Sequence, residues 1–162
     1  MPVLILARHA KAEADGPSDF ERTLNATGLA QAVEAGAEIA ERWTPEVAIA
    51  SAAKRTVQTG QAVVEAVNRQ SGTDLELTVD ESLYGGGVED WMDAIRSIPA
   101  GAQCAYIVGH QPTVAEVIGH LSADAGVPDG FRPSSIAVFD VSSWNVEPGS
   151  FPVPEIRSFR GI

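Results

Sequence analysis

Short apolar runs alternate with amphipathic helical stretches in this chain, and that alternation limits it to few folds. Val3-Leu4-Ile5-Leu6, Val47-Ala48-Ile49-Ala50 and Cys104–Val108 are too short for core helices and carry no charge. This is the pattern of strands covered on both faces. Between them, Leu29, Val33, Ala37 and Ala40 recur at helical spacing within Leu24–Trp43, with Thr27 as the expected cap before Gly28 and Pro45 as the stop. Thr56, Val57, Ala62, Val63 and Val67 give Lys54–Val67 a second helical face, and a turn is expected over Asn68–Gly72.

Further along, Leu75–Val79 reads as a strand and Gly85-Gly86-Gly87 as a mobile or tightly turned connection. Val88–Ile98 reads as a short helix ended by Pro99, and Thr113–Leu121 as a helix opened by Pro112. Ala123–Pro133 has the polar, Gly- and Pro-rich character of a surface loop. Ser135–Val141 reads as a strand, Asn145–Pro154 as a turn and Val153–Phe159 as a last edge strand. The order predicts one α/β domain over residues 1–162, a three-layer sandwich with a mostly parallel central sheet and helices on both faces.

Charge narrows the function. The net charge is −11, with two lysines and nine arginines among 162 residues. Non-specific nucleic-acid binding needs many phosphate-facing cations, and an anionic membrane would repel this chain, so neither partner is expected. No targeting segment is recognised, which makes the cytoplasm the default compartment. The single cysteine, Cys104, cannot form an internal disulfide or a clustered-cysteine zinc site. An anionic ligand has to be held by a local group of cations acting against the overall field.

Such a group is visible at the strand ends, where open α/β sheets bind their ligands. The first strand ends in Arg8-His9. The second ends at Ser51, with Arg55 one turn later. The strand through Val108 ends in Gly109-His110. His120, the third histidine, falls near the end of a helix and reads as structural or solvated. The glycine run has no following Lys-Ser/Thr, and no GxGxxG, G-x-S-x-G, H-x-H or H-E-x-x-H motif occurs. Two histidines and several arginines without a metal motif suit a phosphoryl ligand, because guanidinium forks match phosphate oxygens.

These residues carry a family likeness. Arg8-His9-Ala10 after an apolar strand resembles the arginine–histidine–glycine signature of the histidine phosphatases, the phosphoglycerate mutase-like superfamily. SAAKRTVQTGQ, Ser51 to Gln61, resembles its second element, and VGHQP, Val108 to Pro112, its third. Arg22-Thr23-Leu24-Asn25 with Gly28 resembles the segment before the first long helix in compact bacterial members that act on phosphohistidine.

The resemblance implies a metal-independent phosphohydrolase without a cofactor. His9 would be the nucleophile, forming a phosphohistidine intermediate. Arg8, Arg55 and His110 would surround the phosphoryl oxygens, and Arg22 would add a fourth contact. Glu81, just past the third strand, is the candidate proton donor to the leaving group, with Asp80 beside it and Glu89 beyond the glycines. The substrate would be phosphohistidine in a protein or another labile phosphoryl compound. The alternatives are a phosphatase of small phosphorylated metabolites or general phosphomonoesters, and a non-catalytic phosphate-binding interaction domain.

The residue chemistry adds two expectations. The nucleophile needs its second ring nitrogen bonded to an acceptor, a backbone carbonyl of the first loop, to fix the tautomer. The third signature position is Ala10 rather than glycine, so its backbone should be one that alanine adopts.

Overall fold

The computed structural model describes residues 1–125 and 131–161. Its strands are β1 (Val3–Arg8), β2 (Val47–Ser51), β3 (Leu77–Asp80), β4 (Cys104–Gly109), β5 (Ser135–Asp140) and β6 (Glu155–Ser158). The helices are α1 (Ala26–Arg42), α2 (Lys54–Ser71), α3 (Val88–Arg96) and α4 (Thr113–Leu121), and Glu81–Leu83 forms a 3-10 turn. The strands make one sheet in the order β3-β2-β4-β1-β5-β6. The β1/β4, β2/β4 and β2/β3 pairs are parallel, while β5 runs antiparallel to both β1 and β6.

The runs of apolar residues are explained by burial on both faces. Along β1, Leu4 and Leu6 enter a core with Trp91, Met92, Val117 and Ile118 of α3 and α4. Ile5 and Ala7 enter the opposite core with Ala35, Ile39, Val63 and Val67 of α1 and α2. Successive side chains of a strand point to opposite faces, so only an all-apolar strand fills both layers. This is the expected sandwich, with the mostly parallel sheet between two helix pairs.

The helices depart from expectation in three places. Asn25, not Thr27, caps α1: its side chain accepts from the Gly28 N–H at 2.8 Å. The buried face of α1 is also a different one. Leu29 and Val33 are 51% and 62% exposed, whereas Gly28, Ala32, Ala35, Gly36, Ile39 and Ala40 are buried. The reason is the close approach of α2: a Cβ on Gly36 would lie 2.9 Å from the Ala62 carbonyl oxygen. Small residues face the partner helix, and the larger ones are left outside. Finally, α2 continues through Asn68 to Ser71, where a turn was expected, and ends at Gly72 with φ 65°. The Asn68 side chain does make turn contacts, with the backbone N–H and C=O of Leu75, but its own backbone stays helical.

Part of the surface loop expected over Ala123–Pro133 lies outside the described residues. No helix among the described residues is long and apolar enough to cross a membrane.

Candidate active site

Strand register brings the site together. In the parallel β1/β4 pair, Arg8 lies opposite Gly109. His9 and His110, each one residue further, therefore leave the sheet side by side at its carboxyl edge. The His9 N–H donates to the Gly109 carbonyl at 3.0 Å, and the two ring centroids are 5.5 Å apart. Gly109 is required by packing, because a Cβ there would overlap the indole of Trp91. On the other side of β4, β2 ends at Ser51, whose hydroxyl is 2.8 Å from His110 Nε2.

His9 is 9% exposed and tightly held. Its Nδ1 donates to the Ala10 carbonyl at 2.7 Å. A carbonyl can only accept, so the proton sits on Nδ1 and Nε2 keeps its lone pair. Burial is the main reason that its pKa falls, to about 3, and charge on His110 when that ring is protonated, together with the standing charges of Arg55 and Arg8, acts in the same direction. The ring is neutral at physiological pH. The carbonyl expected from the first loop is thus that of Ala10.

Ala10 itself is fully buried beside Leu24 and Ala32. It is not among the residues with positive φ, so the signature glycine is not needed for backbone conformation here. Its N–H donates to Thr59 Oγ1 at 3.0 Å, and Thr59 Oγ1 donates to the Arg55 carbonyl at 2.8 Å. The left-handed residue nearby is Ser134, with φ 62°, whose N–H donates to the His9 carbonyl at 3.0 Å. The His9–Ala10 segment is therefore tied to β4, α2 and the turn before β5.

Arg8, Arg22 and Arg55 join the two histidines around a cavity of about 410 Å³. Arg8 Nη1 donates to the Phe131 carbonyl at 3.0 Å. Arg55 is 5% exposed, and its Nη2 donates to His110 Nδ1 at 3.3 Å. With Nδ1 accepting, His110 carries its proton on Nε2 and gives it to the Ser51 hydroxyl. Burial and the Arg55 charge push the His110 pKa down to about 4. Arg8 Nε and Arg55 Nε are buried with no hydrogen-bond partner among the described residues.

The sequence reading missed Asp19, which also lines the cavity. Residues 13–22 double back over the edge of the sheet, fixed by the Glu13 N–H to Thr23 carbonyl bond and the Ala12/Leu24 bridge. The Asp19 carboxylate accepts from Arg22 Nη2 at 2.9 Å, Arg55 Nη2 at 3.1 Å and Tyr84 Oη at 2.8 Å. The Tyr84 hydroxyl and the two guanidiniums hold its pKa far below the usual carboxylate range. Asp19 precedes Arg22 by one helical turn in sequence, a spacing that could have signalled the pair.

Glu81, the expected proton donor, is elsewhere. It is exposed, and it lines a separate cavity with Ile49, Thr78 and Ser97. Asp80 caps the 3-10 turn by accepting from the Ser82 N–H at 3.0 Å. From this segment it is Tyr84 that reaches the site, its ring 5.7 Å from that of His110. Gly85 and Gly86 border an adjoining cavity with Asp19, Arg55 and His110. His120 sits in the last turn of α4 and lines neither of these cavities. Among the described residues, no group of three or more His, Cys, Asp or Glu side chains is placed to hold a metal ion.

Comparisons with known proteins agree with this fold. Residues 4–91 match the histidine phosphatase superfamily (branch 1). The structure is similar to a protein assigned as the phosphohistidine phosphatase SixA of Agrobacterium tumefaciens, at 27% identity and a TM-score of 0.81, over 98% of this chain and 99% of that one. A protein assigned likewise in Nakamurella multipartitia shares 26% identity and a TM-score of 0.77, over 98% and 96% of the two chains. The mycobacterial glucosyl-3-phosphoglycerate phosphatase shares the fold at 14% identity and a TM-score of 0.65, over 99% of each chain. No curated protein matches the sequence significantly.

Proposed function

The chain belongs to the histidine phosphatase superfamily and is a phosphatase, and we propose that it removes the phosphoryl group from phosphohistidine in proteins through a covalent intermediate on His9. Residues 1–162 are read as one catalytic domain. The nucleophile is the unprotonated His9 Nε2, which attacks phosphorus in line with the departing nitrogen. Arg8, Arg22, Arg55 and His110 surround the phosphoryl group. The guanidiniums, charged throughout the working pH range, stabilise the negative charge on its equatorial oxygens. A water then attacks phospho-His9, the N–P bond breaks, Nε2 regains its lone pair, and phosphate leaves.

The observation that carries the choice of substrate concerns proton supply. Asp19 is the one carboxylate lining the cavity among the described residues, and three donors keep it ionised. It holds no proton to give. An alkyl phosphate leaves as a strongly basic alkoxide and needs an acid beside it. A phosphohistidine protonated on its other ring nitrogen leaves as neutral imidazole without one. A site rich in guanidinium and poor in proton donors suits the phosphoramidate.

The test is a comparison of kcat/KM for a phosphohistidine peptide, an aryl phosphate and an alkyl phosphate on one enzyme preparation. The order expected is phosphohistidine, then aryl, then alkyl. An alkyl phosphate turned over as fast as the phosphohistidine peptide overturns the assignment.

A further inference from the structure

A second cavity, of about 660 Å³, adjoins the one at His9 and shares Lys11 and Pro133 with it. Its other charged lining residues are Arg132 and Arg160. The chain has only 11 lysines and arginines against 22 acidic residues. Yet six of those cations, Arg8, Lys11, Arg22, Arg55, Arg132 and Arg160, border these two neighbouring cavities, with Asp19 the one acidic residue among the described lining residues. Arg8, Arg22 and Arg55 belong to the phosphoryl site. Lys11, Arg132 and Arg160 are exposed, and none of them is in the ion pairs found among the described residues.

Chance does not readily place three cations without an ion-pair partner among the described residues together on so acidic a surface, where nearby carboxylates normally neutralise them. The backbone explains how they meet. A Cβ on Gly28 would overlap the Lys11 carbonyl, so the start of α1 presses this segment against the sheet edge. The Phe159 N–H donates to the Ser134 carbonyl at 3.2 Å, which sets the chain end bearing Arg160 beside the turn bearing Arg132.

We propose that Lys11, Arg132 and Arg160 form a second anion subsite, which takes the acidic side chains flanking the phosphohistidine of a substrate protein. This rests on the phosphohistidine reading above and extends it to sequence preference. The two cavities meet at Lys11 and Pro133, so a peptide lying across both presents its phosphoryl group to His9 and a neighbouring Asp or Glu to these cations. It also gives an acidic enzyme a local means of holding an acidic partner.

The experiment compares two phosphohistidine peptides, one flanked by Asp and Glu and the other by Asn and Gln, at low and at 0.5 M salt. Wild type should prefer the acidic peptide in kcat/KM by about fivefold, as a few exposed ion pairs allow. Salt should shrink the preference. The double variant Arg132→Gln/Arg160→Gln should lose it while hydrolysing an aryl phosphate, which lacks a second anion, at the wild-type rate. Equal kcat/KM for the two peptides, or a preference that survives in the variant, overturns the proposal.

A second measurement separates it from the function itself. The unphosphorylated acidic peptide should inhibit aryl phosphate hydrolysis more strongly than the neutral one, in wild type and not in the variant. If neither phosphopeptide is turned over, the phosphohistidine assignment falls, and this inhibition alone decides the subsite. Equal inhibition by both peptides overturns it.

Discussion

The imidazole rings of His9 and His110 stand 5.5 Å apart, tilted by 57°, because Arg8 and Gly109 are register partners in a parallel strand pair. Their environments differ in one respect that matters. His110 is bonded at both nitrogens, to Ser51 and to Arg55, while His9 has only Nδ1 engaged, by the Ala10 carbonyl. On the proposed mechanism, the free lone pair on His9 is what makes it, rather than His110, the nucleophile.

Replacing His9 by alanine should therefore abolish the phosphoenzyme. Trapping labelled phosphate on the protein after acid-free quenching should show label on wild type and none on His9→Ala, with turnover reduced at least roughly 1,000-fold. Retention of label in the variant would place the nucleophile elsewhere.

The low pKa values of the two histidines have a consequence for pH. In the unfolded chain both titrate near 6.5, and in the folded protein near 3 for His9 and 4 for His110. As pH falls through this window the unfolded state takes up protons that the folded state refuses. Stability is fully present above about 6.5 and declines towards 4, by at most about 1.4 kcal/mol per pH unit for each histidine. Urea midpoints at pH 7, 6 and 5 should fall in wild type and change less in His110→Asn. For the same reason kcat/KM, corrected for substrate ionisation, should show no inflection near 6.5.

Arg55 and Glu81 should respond in opposite ways. Arg55→Ala removes a buried guanidinium that touches His110 and Asp19, and should cost at least ~2 kcal/mol in kcat/KM, roughly 30-fold. Glu81→Gln alters an exposed carboxylate outside the cavity, and kcat/KM should stay within about twofold on aryl phosphate and phosphohistidine alike. A large loss in Glu81→Gln confined to the aryl ester would restore its role as an acid.

Thr59 holds the His9–Ala10 segment without lining the cavity. Thr59→Val keeps the shape but leaves the buried Ala10 N–H without its acceptor, a loss of about 1–3 kcal/mol. Chemical denaturation should detect it. Thr59→Ser retains the hydroxyl and should recover most of the difference.

The sequence by itself determined the α/β sandwich, since all-apolar strands separated by amphipathic helices can be buried only between two helical layers. It also marked Arg8, His9, Arg55 and His110, because each stands at or just beyond the end of a strand, where such sheets place ligands. Only the tertiary structure decided what those residues do together. Register set His9 against His110, and the Ala10 carbonyl chose the protonated nitrogen. The chain segment at residues 13–22 folded back to add Asp19, while the 3-10 turn offered Tyr84 in place of Glu81. It was likewise the close contact of α1 with α2 that turned Leu29 and Val33 outward and kept small residues inside. Periodicity shows that a helix has a face, but which face is buried depends on how near its neighbour comes. A strand end shows where a side chain leaves the sheet, but its partners come from segments distant in sequence, which no local pattern encodes.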